Sequence, residues 1–314
     1  MNIKSHSSNY KRSLKQPCSL LGGINFTFTY KFVNTKLMEN SHLNPNTRHD
    51  FLYFFSVEDG NPNGDPDAGN LPRTDPTTGQ GLVTDVCVKR KLRNYVDAAR
   101  DDKRIFMQMN EPLAAKQQEA YEALKLDSDD NNYDNAQKAR HWMMQNFWDV
   151  RMFGAVMSSN KEVRAGKVQG PMQLTFARSL EPIDIIRTSI TRSMPLNEDK
   201  QKGTNGNKEK GNTTFGQKSI VPSAVYRGRG FYSPADADEV SEDDLQLFWQ
   251  ALQMSWELDR SAARGMLSCE GIVVFTHESK LGNARAAQLF DLVRYDADGV
   301  AVGDVPDKIT TTVL

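Results

Sequence analysis

Residues 51–66 read FLYFFSVEDGNPNGDP, an apolar run followed by glycine, proline, asparagine and aspartate. A short, nearly continuous apolar run predicts a buried strand over residues 51–57. Gly and Asn accept positive φ, and each Pro fixes φ and lacks an N–H group, so the next segment is a shaped loop rather than a regular element. This strand and its loop begin the most informative part of the chain.

A helix with a row of cations follows. Thr84 and Asp85 can each cap a helix, and residues 86–100, VCVKRKLRNYVDAAR, contain neither Gly nor Pro. The helical period predicts an apolar face with Val88, Leu92, Tyr95 and Ala99, and a cationic face with Lys89, Arg93 and Arg100, with Arg90 further round. The cationic face is either a track for phosphates or an ordinary solvated helix surface.

Composition limits the possible classes of protein. With 314 residues, 25% of them charged, the chain can form one large elaborated domain or two modest ones with a real core. It contains no apolar run long enough to span a membrane. Its 3 cysteines form no CxxC pair, which argues against a zinc site or a disulfide framework and favours a reducing compartment.

Charge is spread unevenly along the chain. The net charge is -1, but residues 1–37 hold 6 cations and no acid, which leaves 33 basic and 40 acidic residues from Met38 onward. A globally basic nucleic-acid binder is therefore excluded, and any such binding must use a local basic track. Residues 1–37 are predicted to be a disordered leader or a start-site artefact, with a targeting signal as the alternative, and 38–314 to be the folded unit.

The remaining sequence predicts a compact unit with two additions. Residues 101–165 form a helical insertion with helices at 114–126 and 135–152, whose aromatic residues are expected to pack against the main core. Residues 192–218 lose the apolar period and form a mobile projecting hairpin. The other predicted elements are a strand alternating at Met172, Leu174 and Phe176, a strand at 183–190, a strand at 219–227 that Pro222 either places at an edge or delays until after that residue, a helix capped by Ser241 and Asp244, a strand at 271–276 and a helix at 284–294.

Without these additions, the order is strand, helix, two strands, helix, strand. This is the βαββαβ pattern of ferredoxin-like and RNA-recognition folds, an α+β class. The two additions then correspond to an insertion and a thumb on an RNA-recognition palm.

Acidic and histidine patterns give only weak support for catalysis. Residues 59–65 match the first half of a calcium loop, but Asn70 occupies the twelfth position in place of Glu. Asp59, Asp65, Asp67 and Asp75 could instead gather two metal ions for phosphodiester cleavage, although their spacing fixes no common face. His277 could act as a base, but a single histidine at a strand end is usually structural, and no nucleotide-binding or hydrolase motif is present. No cofactor is predicted.

Basic residues beside glycine turns and strand ends favour nucleic-acid binding. They could follow a polyanion without reading bases, which needs contacts to the backbone only. These residues, in addition to the cationic helix, are Arg73, Lys161, Arg164, Lys167, Arg192, Lys218, Arg227 and Arg229.

Several segments together resemble a known family. They are NPNGDPDAGNLPR (61–73), GLVTDV (81–86) running into Lys89, Arg90 and Lys91, GPMQLTFARS (170–179), SITR (189–192), DRSAARG (259–265) and HESKLGNA (277–284). They are similar to the Csd2/Csh2-type backbone subunit, of the RAMP superfamily, found in the type I-C CRISPR Cascade complex. The resemblance covers roughly residues 50–295 and leaves out residues 1–37.

The resemblance implies a non-enzymatic, cytoplasmic protein. Copies would stack as a helical filament on CRISPR guide RNA and present it to target DNA, each thumb displacing a nucleotide, beside other Cascade subunits and a separate helicase-nuclease, with no membrane partner. The residues expected to bind RNA are Arg73, Thr84, Lys89, Arg90, Arg93, Arg192, Lys218 and Arg229. The rival function is a metal-dependent endoribonuclease that uses Asp59, Asp65 or Asp67, as related type III backbones cleave RNA through an aspartate. A purely structural scaffold is a third possibility.

Overall fold

The computed structural model describes residues 40–109, 111–127, 133–157, 163–192 and 214–314. In chain order, the elements are β1 (His49–Gly60), β2 (Gly64–Asp65), β3 (Leu71–Pro72), β4 (Gln80–Val83), α1 (Asp85–Ala99), α2 (Leu113–Leu124), α3 (Tyr133–Asn146), α4 (Trp148–Phe153), β5 (Gly154–Met157), β6 (Gly166–Gln169), β7 (Met172–Leu174), β8 (Ala177–Pro182), β9 (Ile186–Arg192), β10 (Thr214–Tyr232), α5 (Glu242–Leu258), β11 (Met266–His277), α6 (Ala286–Phe290), β12 (Val293–Asp296), β13 (Gly299–Val302) and β14 (Ile309–Val313). The predicted leader, residues 1–37, lies outside the described residues.

An antiparallel sheet is built around β1. Its strand order is β14-β11-β1-β10-β8-β4, and β7 and β9 also pair with β10. Helix α1 lies in the chain between β1 and β8, and α5 connects β10 to β11. The elements β1, α1, β8, β10, α5 and β11 therefore follow the predicted chain order, and β1 lies between β10 and β11 in the sheet.

Both faces of β1 are covered, which explains its continuous apolar sequence. Phe51, Tyr53 and Phe55 point to the face where α1 and α5 pack. Leu52 and Phe54 point to the other face and pack with residues of α6 and β12. Successive side chains of a strand alternate between the two faces, so a sheet covered on both sides needs apolar residues at every position.

Strand β10 lies inside the sheet and begins at Thr214, so both alternatives predicted for 219–227, an edge strand and a strand that begins after Pro222, are wrong for the strand as a whole. Along one side it pairs with β1, and Pro222 itself has no partner residue on β1. On the other side, β9 pairs as far as Ile220 and β8 pairs only from Tyr226. The missing N–H of Pro222 falls in this gap between two partners and interrupts no ladder.

The same strand continues through Gly228 and Gly230 to Tyr232 because aromatic rings cover both glycines. Tyr53 and Phe51 lie opposite them on β1. A Cβ atom at either glycine would lie 2.0 Å from the Cζ atom of the facing ring. Glycine is therefore required here for packing inside the strand and does not end it.

The insertion has a hydrophobic cluster of its own. Met143 and Phe147 belong to this cluster with Trp142 packed against it, whereas Trp148 belongs to the main core. The prediction that these aromatics all face the main core is therefore wrong. The prediction of one continuous helix over 135–152 is also wrong, because Phe147 is extended at φ -120°. At this residue the chain passes from the cluster of the insertion to the main core.

Three smaller predictions are corrected or limited. The helix predicted at 284–294 is only α6, because the chain then forms the hairpin β12–β13 that covers the second sheet face. Phe176 does not join the buried row of Met172 and Leu174, since it is 50% exposed in the turn between β7 and β8. Strands β9 and β10 pair from Ile186 with Ile220 to Arg192 with Thr214, but the rest of the predicted hairpin lies outside the described residues.

Within the described part of the chain, no helix combines the length and apolar character needed to cross a bilayer.

Candidate nucleic-acid interface

The loop after β1 is fastened to the start of α1 by one asparagine. The Oδ1 atom of Asn63 accepts hydrogen bonds from the backbone N–H and the hydroxyl of Thr84, both at 3.0 Å. The Thr84 hydroxyl in turn accepts from the Cys87 N–H, which caps the helix as predicted. The backbone N–H of Arg73 donates to the carbonyl of Asn63 at 3.2 Å. The loop thus fixes both Arg73 and the first turn of α1.

The segment 259–265, between α5 and β11, holds the same loop from the other side. One Nη atom of Arg264 donates to the carbonyls of Asn61 and Pro62 at 3.0 and 3.2 Å, and the Asn61 N–H donates to Ala263 at 2.8 Å. The backbones approach so closely that a Cβ on Gly60 would lie 1.8 Å from the Arg264 carbonyl oxygen. Only glycine permits this contact.

Together these segments enclose a cleft of about 300 Å³, here named the basic cleft. It is lined by the cations Arg73, Arg90, Lys91 and Arg264, the carboxylate of Asp259, and the polar or small residues Asn63, Thr84, Val86, Cys87 and Asn94. Cations outnumber carboxylates on its wall, so it offers a positive site on an otherwise acidic body. A positive cleft of this kind suits a phosphate group of a polyanion.

The cations of the basic cleft differ in how far nearby carboxylates offset their charge. Arg73 lies 3.3 Å from Asp65, but its buried Nε has no hydrogen-bond partner. One Nη of Arg90 donates to the Met107 carbonyl at 2.7 Å, a contact that neutralises no charge. Lys91 and Arg264 share the carboxylate of Asp259. Burial lowers the pKa of Lys91 to about 8 even though its ammonium group contacts that carboxylate.

The predicted cationic face of α1 differs from the structure, because its members are already paired. Arg93 is buried, and its Nε lies 2.7 Å from Asp149 of the insertion. Lys89 lies 3.1 Å from Asp85, one turn earlier on the same helix. Arg100 contacts both Asp102 and Asp243. These pairs neutralise the face, so the open positive charge of α1 lies at Arg90, toward the basic cleft.

The other predicted residues lie in separate places. Lys218 lines a second groove of about 300 Å³ together with Arg187 and the loop residues Asn61 and Asn70. Arg192 ends β9 at the base of the predicted thumb. Arg229 lies opposite Leu52 in the register of β10 with β1, and therefore on the sheet face away from α1. The structure brings Arg73, Thr84 and Arg90 together and separates them from Lys218 and Arg229.

Of the acidic residues of the rival hypothesis, Asp65 has structural partners for its carboxylate. Asp65 contacts Arg73 and accepts a hydrogen bond from the Asp67 N–H at 3.2 Å. Asp59 precedes Gly60, the last residue of β1, and has a left-handed conformation at φ 48°. Across the ranges that the structure describes, no group of three or more His, Cys, Asp or Glu side chains is placed to share a metal ion. His277 is buried at the end of β11, with its Nε2 3.0 Å from Asp50.

Sequence reasoning missed Lys91, Arg264 and Asn63 as parts of the site. Lys91 stands in the run of cations, but its place toward the cleft depends on Asp259, 168 residues further along the chain. Arg264 and Asn63 stand in the segments DRSAARG and NPNGDP, which carried the family resemblance without a role for either residue. Their contacts are what shape the cleft.

Comparison with known proteins identifies the family. Residues 47–311 match the family of the CRISPR-associated protein Cas7. The chain belongs to this family. A curated relative, the CRISPR-associated protein Cas7 of Haloferax volcanii, is 25% identical over 291 residues, which cover 85% of this chain and 82% of the relative.

A solved structure supports the fold. A chain of a CRISPR RNA-guided surveillance complex in its pre-nicking state is similar with a TM-score of 0.50 and 13% identity, over 81% of this chain and 84% of that one. At this identity the likeness concerns the fold, a mixed α/β architecture shared with that chain. The basic cleft lies within the matched residues 47–311.

Proposed function

We propose that this Cas7-family chain is a backbone subunit of a CRISPR complex that binds guide RNA without reading its sequence. The observation that carries the proposal is the basic cleft, whose wall contains Arg73, Arg90, Lys91 and Arg264 and the single carboxylate of Asp259, on a chain with a net charge of -1. Contacts to phosphates alone give affinity without sequence preference. A protein that holds a guide along its whole length needs this kind of contact.

The further details follow from the same proposal. Strands β1, β8, β10 and β11 with α1 and α5 act as an RNA-recognition palm, and the hairpin that begins with β9 and β10 acts as the thumb. Copies stack along the guide in a type I-C arrangement, present it to target DNA, and leave cleavage to a separate helicase-nuclease. Lys218, and Arg192 at the thumb base, extend the phosphate track beyond the basic cleft.

Substitution of the cleft cations tests the proposal. Arg73→Met and Arg90→Met should each weaken the binding of single-stranded RNA and reduce the salt slope of binding by about 0.7 per lost phosphate contact. Fluorescence anisotropy over a salt series measures both quantities. Arg294→Met removes an exposed arginine of β12, which packs on the sheet face away from α1, and is the matched control. Equal affinity of all these variants at every salt concentration would contradict the proposal.

The endoribonuclease alternative makes a different prediction in the same assay. The wild-type protein should leave labelled RNA intact in the presence of Mg²⁺. Metal-dependent cleavage that disappears in Asp65→Asn would instead support the enzyme and overturn a non-catalytic function.

A further inference from the structure

Asn61, the first residue after β1, is held by hydrogen bonds through both its backbone and its side chain. The backbone N–H donates to the Ala263 carbonyl at 2.8 Å, and the Asn61 carbonyl accepts from Arg264 at 3.0 Å. The side-chain Nδ2 donates to the Asn70 carbonyl at 2.8 Å. The remaining polar atom, Oδ1, is buried and accepts no hydrogen bond from any residue that the structure describes. The side chain therefore offers one unused acceptor.

The direction of this acceptor is determined by its surroundings. Asn61 is only 5% exposed, so its side chain has little freedom to move. Turning the amide over would place Oδ1 against the Asn70 carbonyl, which is also an acceptor, so the hydrogen bond from Nδ2 fixes which way Oδ1 points. Buried acceptors are nearly always satisfied, because an acceptor removed from water without a donor is unfavourable. The position of Oδ1 therefore suits a donor supplied by a ligand.

Asn61 lines the second groove, whose other walls are cationic. Arg187 of β9 and Lys218 of β10 line the same groove, together with the amide side chains of Asn70 and Gln217. Along the described lining of this groove there is no Asp or Glu. The volume of about 300 Å³ suits a small group such as a sugar with its phosphate. Charge and size together indicate a small anionic ligand.

An anion alone cannot satisfy both parts of this site. The oxygens of a phosphodiester only accept hydrogen bonds, so they suit Arg187 and Lys218 but not Oδ1 of Asn61. A ligand that satisfies all three residues carries a negative charge and, close to it, a hydroxyl group that donates. The backbone of RNA has this combination, because each ribose has a 2′-hydroxyl beside its phosphate. DNA lacks that hydroxyl.

The second groove and the basic cleft lie along the same loop. Asn63 lines the cleft, and Asn61, two residues earlier, lines the groove. Arg264 connects the two sites, since it lines the cleft and donates to the Asn61 carbonyl at 3.0 Å. A strand with a phosphate in the cleft can therefore place a nearby sugar at the groove.

We propose that Oδ1 of Asn61 accepts a hydrogen bond from a ribose 2′-hydroxyl and thereby selects RNA over DNA. Arg187 and Lys218 hold the adjoining phosphate in the second groove. The inference rests on the proposed function, in which phosphate contacts supply the affinity, and such contacts do not distinguish ribose from deoxyribose. It adds a residue that determines which nucleic acid is bound.

Sugar-modified strands test the hydrogen bond without any change to the protein. The probes are short oligouridines of equal length that carry 2′-hydroxyl, 2′-fluoro or 2′-deoxy sugars. The fluoro sugar keeps the ring pucker of ribose but has no O–H donor, so it separates the hydrogen bond from the shape of the strand. Fluorescence anisotropy at a fixed salt concentration should show that the wild-type protein binds the hydroxyl strand about tenfold more tightly than each of the other two.

Two variants assign this preference to a residue. Asn61→Leu removes the acceptor and should bind the hydroxyl and fluoro strands with affinities within about twofold of each other. Gln217→Leu removes an exposed amide from the same groove, so it is the matched control and should keep the wild-type preference. Circular dichroism and urea unfolding check that both variants fold. If Asn61→Leu does not fold, the comparison of the three strands on the wild-type protein decides.

Several results would overturn the inference. Equal affinity of the wild-type protein for the hydroxyl and fluoro strands is one, since it would assign any weaker binding of the deoxy strand to ring pucker. A preference that folded Asn61→Leu retains, or that Gln217→Leu loses, is another. These results would leave salt-dependent RNA binding intact. Failure of all three strands to bind at low salt would instead contradict the proposed function, and the inference with it.

Discussion

Replacing Arg93 by methionine tests whether this arginine stabilises the fold or binds RNA. Arg93 and Asp149 form a buried pair at 2.7 Å, and the Asp149 carboxylate also accepts from the backbone N–H groups of Phe106 and Met107 at 2.6 and 3.1 Å. Removing one partner of a buried pair costs 3–5 kcal/mol because the other charge stays buried. Since two N–H donors remain on Asp149, we expect the lower end, about 3 kcal/mol, or roughly a hundredfold in the unfolding equilibrium.

Urea unfolding measures this loss, and RNA anisotropy under folding conditions measures binding. Arg93→Met should leave the salt slope of RNA binding unchanged, whereas Arg90→Met should lower the slope with little effect on stability. The double variant Arg93→Met, Asp149→Asn should recover part of the lost stability, because it no longer buries an unpaired carboxylate. If Arg93→Met lowered the free energy of unfolding by less than about 1 kcal/mol and also reduced the salt slope of RNA binding, Arg93 would be an RNA-binding residue and its structural role would be refuted.

Three further changes test the fold around the site. Burial lowers the pKa of His49 from 6.5 to about 4, so only the unfolded chain takes up a proton at this residue as the pH falls from 6.5 toward 4. Urea unfolding should therefore show that the protein is about 2 kcal/mol less stable at pH 5 than at pH 7, and that His49→Gln loses less stability over the same range. Ser241→Ala removes the capping box of α5, and thermal unfolding should show a loss of about 1 kcal/mol; an unchanged transition would mean that the cap contributes nothing. Gly60→Ala forces the loop away from Arg264 and should destabilise the protein by about 1–3 kcal/mol while weakening RNA binding; normal stability and binding would separate the loop from the cleft.

Local signals were sufficient for the elements that frame the site. The apolar run predicts β1, and Thr84 and Ser241 predict the starts of α1 and α5, because a cap or a buried strand is determined by neighbouring residues. The prediction for β10 was wrong because a proline fits inside a sheet where one neighbouring strand has ended and the next has not begun to pair, as at Pro222 between β9 and β8. That position is a property of the sheet and cannot be read from the strand alone.

The charge of α1 could not be predicted for the same reason. The helical period correctly places Lys89 and Arg93 on one face, but Arg93 finds its partner 56 residues later in the insertion. The basic cleft likewise depends on Arg264 reaching Asn61 across 203 residues. Family resemblance directed attention to segments that line the basic cleft, and only the three-dimensional contacts separate cations that are paired with a carboxylate from those that are not.

The binding of two single-stranded RNAs of equal length and unrelated sequence, measured at several salt concentrations, tests the central claim most directly. The account predicts affinities that agree within about twofold at each salt concentration and fall together as salt rises, since phosphate contacts carry no sequence information. Absence of binding at low salt, or a preference of about tenfold or more for one sequence, would contradict a backbone subunit that holds its guide through the basic cleft.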